Sequence, residues 1–540
     1  MSAIVPKLRK AIATVASAAS LCILAADVPD LTESLEYLGT PTYLQWPGSI
    51  HARQVVDLVP HKGSIFVTGG DWDPNMGPCP VFAINPYSGA FSNEFVAGSE
   101  DLYEFKELSD GRLYVTAVDP HEKGPNYGTS FRRGHDGVWQ SFTTACDKIH
   151  SWDIAEWHGY VFICGYVISG STNWCETPMF NATPQLDGIT YIENLGANPH
   201  SMFRRFNAFL PFDDDIFCFP NMIAWKDNIQ GHAWEEWRWV EEEKKFVSSN
   251  TAWSNIAPGM TLEDASLSFD SEYTYRSMSI WHPTKFKGRV LYVLAHSYPL
   301  TPWAIFSAEN VNHHVKASRI GLGGSDVKPF DIFVSDDAAY IVAGQAGSTA
   351  TAVTNSVWKS TDGVSFAKLF SFVSTRAATS LCYFDGCFYF GMGSNTGRAD
   401  TGLGWPELPS SPELSGNIYR VRLPQGEMPK VVAETASRYV PEGGPCDVSF
   451  RLASAPATNM TLRVWATNEK LELSASSLTF TPSNWNVSQI VRVSLPEDWV
   501  EEAIGGAVVC GTGGGDCVSG FVQIDMLDNE GDLTTPVSGG

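Results

Sequence analysis

Positive charge is scarce in this chain. Its 36 Lys and Arg stand against 60 Asp and Glu, a formal net charge of -24 over 540 residues. That balance excludes nucleic acid as a partner, because phosphate backbones reward clustered cations. Total charge is low as well, at 18%, which excludes a long disordered chain. The 3.6-residue periodicity of amphipathic helices is missing, which removes helical repeat arrays. No stretch beyond the first 26 residues is apolar enough to span a bilayer. Nucleophile elbow, zinc-binding helix and phosphate loop are all absent. What is plentiful is aromatic and turn-forming: Trp 18, Tyr 18, Phe 30, Gly 47 and Pro 32. Many short strands joined by tight turns follow from that mixture.

The first 26 residues read as a secretory signal. Lys7, Arg9 and Lys10 precede the apolar run "AIATVASAASLCILAA", and Ala25 and Ala26 offer a cleavage point. A retained anchor is the rival reading, but a run of about 16 apolar residues falls short of the roughly 20 that span a bilayer. Lipoprotein processing is disfavoured because Leu21 sits directly before Cys22. The expectation is a secreted, periplasmic or cell-surface protein. Losing Cys22 would leave ten of the 11 cysteines, an even number suited to an oxidising compartment. Cys382 and Cys387 flank the turn "YFDG", and Cys510 and Cys517 bracket "GTGGGD"; each pair suggests a disulfide across a hairpin, with buried free thiols the alternative.

One phrase is written seven times: a turn pair, a short apolar run, then a small or polar loop. Examples are "KGSIFVTGG" from Lys62, "HGYVFICGY" from His158 and "DGCFYFGMG" from Asp385. The second turn residue marks each copy at Gly63, Gly111, Gly159, Asp215, Gly288, Asp337 and Gly386, spaced by 48, 48, 56, 73, 49 and 49 residues. A period near 48 matches one four-stranded propeller blade. Such blades stack because each buries its faces only against neighbours. The predicted fold class is all-β: a seven-bladed β-propeller over 38–428, followed by a C-terminal β-sandwich. "YLGTPTYLQW" at 38–47 is the candidate strand for closing the ring. The long interval after Asp215, with "WEEWRWVEEEKK" and "NIAPGMTLEDASLSFDSEY", reads as surface insertion.

The pattern changes near Pro429. Residues 430–531 alternate apolar and polar positions over successive short runs, as in an antiparallel sandwich, and 532–540 form a tail. The words "VPEGG", "LTFTPSNWNVSQIVRVSLPED" and "VQIDMLDNEGD" resemble the Calx-beta family of extracellular sandwich domains. The resemblance covers about 100 residues and implies a calcium site at one end of the sandwich. Its ligands by motif position would be Glu442, Asp498, Glu502 or its neighbour Glu501, and Asp528. Calcium takes six to eight oxygen ligands, and "LDNEGD" stands where calcium-binding members carry consecutive aspartates. Solvated acidic loops are the alternative.

A propeller gathers ligands on the face formed by the loops that enter each inner strand and those that join second to third strands. Here the latter are polar and carry Trp72, Tyr127, Trp174, Trp225, Tyr298, Trp303 and Trp405. Aromatic rings beside hydrogen-bonding side chains suit sugars. The inner-strand entries carry Arg53, Glu104, His150, His200, Arg276, Lys328 and Arg376, six of the seven being basic. A cationic mouth of this kind would grip carboxylates or sulfates. "WKSTDGVSF" at 358–366 is similar to the Asp-box of sialidases and other propellers, a folding element rather than a catalytic one. Asp71, Asp73, Asp119 and Asp400 are carboxylates on this face, but their separation is not legible in a sequence. The favoured expectation is an exported binding protein for a glycan, anionic by preference, or for an extracellular protein. A carbohydrate-active hydrolase or lyase using the same face is the alternative. No cofactor is implied beyond calcium in the C-terminal module.

Overall fold

The computed structural model describes residues 28–527 apart from 42–54, 70–77, 87–88, 121–128, 136, 144–147, 170–173, 177, 183–189, 195–205, 221, 226–235, 250–252, 261–266, 270–272, 298–299, 336, 350–351, 394–415, 424–429, 435–436, 467, 469, 498–505 and 513–519. Among the described residues the protein is all-β, with two single-turn 3-10 segments and no α-helix. No described helix is long and apolar enough to cross a membrane. The signal at 1–26, the tail at 532–540 and Cys517 lie outside the described residues.

Each of the repeated phrases begins at a hairpin turn. At Lys62-Gly63 both residues take left-handed backbone, φ 44° and 83°, and the same pair recurs at His158-Gly159, Lys287-Gly288 and Asp385-Gly386. Two successive left-handed residues match the right-handed twist of the flanking strands, which is why glycine ends each pair. The strands entering these hairpins are Val55–His61, Ser99–Glu107, Lys148–Trp157, Phe206–Pro211, Tyr273–Phe286, Lys328–Val334 and Ala378–Phe384, called below the first to seventh inner strands.

From each inner strand a sheet extends by antiparallel pairing. The first runs Val55–His61, Ser64–Gly69, Cys79–Ile84, Phe91–Ala97 in that order, and the sheet of the sixth inner strand has the same plan. The second and third inner strands share one larger sheet, joined where His150 pairs with Val118. The last sheet closes with a strand from the start of the chain: Glu36–Gly39 pairs with Ile418–Arg422 as its outermost member. Arg420 fixes that seam, donating from Nη2 to Glu36 Oε2 at 2.7 Å and from Nε at 3.0 Å, and from Nη1 to Pro86 O at 2.6 Å. The closing strand thus overlaps the 38–47 expectation but begins two residues earlier. The turn at 360–365, where the sequence is similar to an Asp-box, is held by its own side chains. Asp362 Oδ1 accepts from the backbone of Val364 and Ser365 at 2.8 Å each, and Ser360 Oγ accepts from Gly363 N at 2.9 Å. The Ser365 and Val364 N–H groups, with the Ser360 hydroxyl, pull the Asp362 carboxyl down to about 2.

Two expectations are corrected. "WEEWRWVEEEKK" is not an insertion: Glu236–Val240 and Lys245–Ser249 are the third and fourth strands of the fourth sheet. Nor is "NIAPGM" at 255–260 superficial. Ile256, Ala257 and Met260 are buried in one core with Phe217, Tyr292 and Phe306, and Tyr292 Oη donates to Ile256 O at 2.5 Å. The proposed hairpin disulfide also fails on register. Because the turn is the two residues Asp385-Gly386, Cys387 pairs with Phe384 and Cys382 with Tyr389, and both are free, buried thiols. No disulfide is present among the described residues.

The C-terminal region holds two sheets around one core. One orders Val431–Ala433, Pro445–Leu452, Gln489–Ser494, Glu472–Leu473; the other orders Ser437–Pro441, Gly520–Leu527, Gly506–Thr512, Met460–Ala466, Ser477–Phe480. Val448, Phe450, Val491 and Val493 of the first pack with Leu462, Val464, Phe480, Val522 and Ile524 of the second. Trp465 reaches the hairpin end of the large region. Its ring meets Phe384 edge-on at 5.9 Å, and a Cβ on Gly63 would lie 1.6 Å from it.

Candidate functional site

The two ends of the inner strands differ. Where each inner strand meets its hairpin partner, the connections are short: 62–63, 108–112, 158–159, 212–215, 287–288, 335–338 and 385–386. The connections from second to third strands fall at the opposite end. They include 70–78, 121–128, 347–352 and 393–417, and the strands Trp174–Glu176 and Met222–Trp225 are built into two others. At one end the connections are therefore two to five residues long, and at the other they range from the two residues 298–299 to the 25 residues 393–417.

Between the ends, all seven inner strands face a common cavity of about 640 Å³, with Leu58, Phe105, Ile154, Phe209, Ile332 and Leu381 among its lining residues. The charged residues at its middle are Asp57, Glu104, Lys106, Asp153, His282 and Asp331, and it extends toward the turn end past Glu107, Glu156, Asp213 and Lys285. On the loop side of these charges lies a second void of about 10 Å³, bordered by Tyr103, Trp152, Asn207, Ile280 and Trp281. Glu104, Asp153 and Pro283 line both spaces.

The carboxylates are held by one repeated device. Every inner-strand pairing carries a register shift, most of them in the first half of the inner strand, as between Val55 and Asp57, Ser151 and Asp153, and Pro329 and Asp331. A bulge leaves backbone N–H groups outside the ladder, and buried N–H groups require partners. Asp57 takes Leu58 N on Oδ1 and Phe105 N of the next inner strand on Oδ2, both at 2.7 Å. Asp153 does the same with Ile154 N and Phe209 N at 2.8 Å. Asp331 does so with Ile332 N and Leu381 N at 2.7 Å. Each aspartate thus straps its own strand to the following one.

Glu104 ties strands across the cavity. Its Oε1 accepts from His282 N at 2.6 Å and lies 2.9 Å from His282 Nδ1, and its Oε2 lies 2.8 Å from Lys106 Nζ. Lys106 also donates to Pro283 O at 2.9 Å and stands 3.9 Å from Asp153, while His282 Nδ1 is 3.2 Å from Asp331. Burial opposes ionisation of Glu104, but Lys106 and His282 outweigh it and hold the carboxyl well below its usual range. Burial likewise opposes the charge on His282, yet Glu104 and Asp331 raise it to about 9. Lys106 is lifted above its ordinary value because Glu104 and Asp153 overcome its desolvation. The aspartates go the other way. Burial pushes Asp57 to about 7, with Asp331 and Glu104 adding repulsion, and burial alone is the main cause for Asp153 at about 7. Asp331 is raised by burial too. Four carboxylates against two cations leave a surplus of negative charge that two aspartates meet by taking up protons near neutrality.

None of this network except Glu104 was singled out by the sequence, where Glu104 stood as the one acid among the basic strand entries. A signal existed: Asp57, Asp153, His282 and Asp331 each lie six residues ahead of a turn marker.

The sequence-predicted residues are distributed as follows. Arg53, His200, Trp72 and Trp405 lie outside the described residues, as do Asp71, Asp73, Asp400, Asp498, Glu501, Glu502 and Asp528. His150, Trp174, Trp225 and Arg276 are described in backbone only. Trp225 pairs with Tyr275 and Ala224 with Arg276, so Trp225 and Arg276 fall on paired strands at the loop end; His150 pairs with Tyr166 and Trp174 with Ser169. Lys328 opens the sixth inner strand and is half-buried. Arg376 precedes the seventh and is only 2% exposed, its carbonyl held by Asn355 Nδ2 at 3.2 Å and by the Ser374 hydroxyl. Trp303 lies in a strand, covered by the Arg319 guanidinium at 4.6 Å. Glu442 donates its backbone N–H to Leu527 O at 2.9 Å and bridges to Leu495, which places it near the chain segments leading to Asp528 and Asp498. Among the described residues no group of three or more His, Cys, Asp or Glu is arranged to hold a metal ion.

No family model and no curated protein matches this chain. Among solved structures it is similar to the extracellular domain of a hybrid two-component system from B. thetaiotaomicron, at TM-score 0.42 and 10% identity over 92% of this chain and 59% of that one. The chain thus spans less than two thirds of that neighbour's length. It is also similar to the β-propeller domain of the Trilobed protease from Pyrococcus furiosus, at TM-score 0.34, 9% identity, 62% of this chain and 88% of that one. The polysaccharide lyase Uly1 aligns at TM-score 0.38 and 9% identity, over 70% of this chain and 91% of that one.

Proposed function

We propose that the inner strands and their sheets are the blades of a seven-bladed β-propeller over 38–428, closed by the N-terminal strand and followed by a β-sandwich at 430–531. In this reading the protein is exported and its loop end holds a glycan or an extracellular protein. The observation that carries it is the segregation of the two ends. Connections of two to five residues occupy one end of all seven inner strands, and the longer connections, with their polar and aromatic residues, collect at the other, where only 298–299 is as short. Rigid strands displaying long loops at one end are the usual construction of a recognition surface. The central charges favour bracing over catalysis: each buried aspartate is committed to two backbone N–H groups, and Glu104 to two cations. Arg53, His150, His200, Arg276 and Lys328 are proposed as the ligand-facing cations, with Trp72, Trp174, Trp225 and Trp405 as stacking surfaces; Arg376, at 2% exposure, is withdrawn from that set. An acidic glycan is the favoured ligand, and its affinity would rise as pH falls through roughly 6.5, where histidines charge. The C-terminal module is a spacer, with Glu442, Asp498, Glu502 and Asp528 as proposed calcium ligands.

Incubating the purified protein with neutral, uronic-acid and sulfated polysaccharides tests this reading. Binding without new reducing ends or unsaturated products supports it. Turnover that one carboxylate substitution abolishes while binding persists would replace it with the hydrolase or lyase reading.

A further inference from the structure

At the loop end, beside the fifth sheet and the entry to the sixth, lies a separate cavity of about 350 Å³. Backbone geometry opens it. The third and fourth strands of the fifth sheet, Leu300–Asn310 and Val315–Ile320, stay paired only as far as Ile305 and Ile320. Beyond Ile320 the chain leaves through 321–327 to reach the sixth inner strand, so no strand fills the space beside 302–304. Trp303 is the extra residue of a bulge, because Leu294 pairs with Ala304 and Ala295 with Pro302. A bulge re-aims its side chain. Here the half-buried indole lies against Arg319, whose guanidinium carbon is 4.6 Å from the ring centroid.

The walls of the cavity divide by chemistry. Ala304, Ile305, Ile320 and Leu322 are buried and give it an apolar floor. Arg319 and Ser325 are exposed at its rim, and Gly321, Gly323 and Gly324 present backbone in place of side chains. Among the described residues Arg319 makes no ion pair, and no N–H of 321–327 donates to a protein acceptor. The carboxylate of this segment, Asp326, is not part of the lining and accepts from Gln345 Nε2.

We propose that this cavity binds a carboxylate carried on a short, branched apolar body. A guanidinium stacked on an aromatic ring keeps its edge N–H groups for a ligand and is oriented before the ligand arrives. Two parallel bonds to a carboxylate then cost little ordering. The glycine N–H groups and the Ser325 hydroxyl add donors without adding negative charge. The apolar floor rewards a hydrocarbon chain, which a bare ion lacks. A uronic sugar fits less well, because hydroxyls set against Ile305 and Leu322 would lose their partners. The site therefore differs in chemistry from the glycan-binding mouth proposed above, and it stands whether or not that mouth holds a glycan.

The test uses the full chain and isocaproate, followed by saturation-transfer NMR, with isocaproamide and acetate as controls. Saturable transfer to the isocaproate methyl groups is expected. The amide loses the charge and acetate loses the chain, so each should bind at least about tenfold more weakly. Arg319→Gln should weaken isocaproate binding about tenfold, as loss of a charge-assisted bond does. Gly321→Leu should abolish it with Tm unchanged, because a Cβ there meets nothing within 4 Å and the backbone is not left-handed. Either variant carries the test if the other fails to fold. Acetyl-Gly-Leu with a free chain end identifies the source of the carboxylate. Tighter binding than isocaproate assigns a polypeptide C-terminus, and weaker binding assigns a free branched acid. Inorganic phosphate that competes as well as isocaproate would mean an adventitious ion only and overturns the proposal. So does the absence of saturable transfer, or binding unchanged in either folded variant.

Discussion

Replacing Glu104 with Gln removes one charge from the point where four inner strands are joined. The shape is retained, but Lys106 and His282 lose the carboxylate that holds them at 2.8 and 2.9 Å. Breaking a buried ion pair by removing one partner costs about 3–5 kcal/mol, because the other charge stays buried. With unfolding entropy of about 2.1 cal/mol/K per residue over roughly 390 residues, that cost lowers Tm by about 4–6 °C. The sign of its pH dependence is specific. His282 titrates near 9 when folded and near its ordinary 6.5 when unfolded, so its stabilisation is complete below 6.5 and lost as pH rises through 9. At 1.36 kcal/mol per unit this is about 3 kcal/mol. Removing the Glu104 charge also relieves repulsion on Asp57 and Asp153, which favours the variant further as pH rises. Calorimetry of both proteins from pH 6 to 9.5 should show the gap largest at pH 6 and shrinking upward. A gap below 1 °C at pH 6, or one that stays constant to pH 9.5, would refute the network as described.

Three further outcomes are expected. Gly63→Ala places a methyl group 1.6 Å from the Trp465 ring at a left-handed position, so it should lift the C-terminal module away; faster proteolysis between the modules and a larger radius of gyration would report it, and unchanged values would count against the contact. Arg420→Ala unties the closing strand, and amides 36–39 should exchange hydrogen faster while those of the sixth sheet do not; equal exchange in both proteins would mean that the strand is held otherwise. Alkylation in denaturant without reductant should label Cys382 and Cys387 individually; a cross-linked peptide joining them would contradict the register seen here.

The sequence spoke plainly where one residue type has one backbone use. Left-handed pairs ending in glycine announced the hairpins, and the strands "SIFVTGG" and "CPVFAINP" appear at Ser64–Gly69 and Cys79–Ile84. It was silent where register decides. Taking "YFDG" as the turn, in place of Asp385-Gly386 alone, mispaired Cys382, since a shift in pairing changes every cross-strand neighbour. "WEEWRWVEEEKK" read as surface insertion because the interval after Asp215 is long, yet Glu236 is fully buried, with His314 Nδ1 at 3.0 Å and Val315 N at 2.8 Å on its two oxygens. The central aspartates were hidden for a related reason. Asp57, Asp153 and Asp331 face one cavity only because a bulge recurs at the same height in each inner strand, and bulges leave no mark in composition.

The central claim, recognition at the loop end without turnover, is tested most directly by comparing changes at the two ends against one acidic oligosaccharide. Titration calorimetry with a uronic-acid oligosaccharide should show binding to the parent chain and to Lys285→Ala at the turn end, and at least tenfold weaker binding to Arg276→Ala and Trp225→Ala. The ligand should be recovered intact. Binding that survives both loop-end substitutions but fails in Lys285→Ala, or a ligand recovered cleaved, would contradict the account.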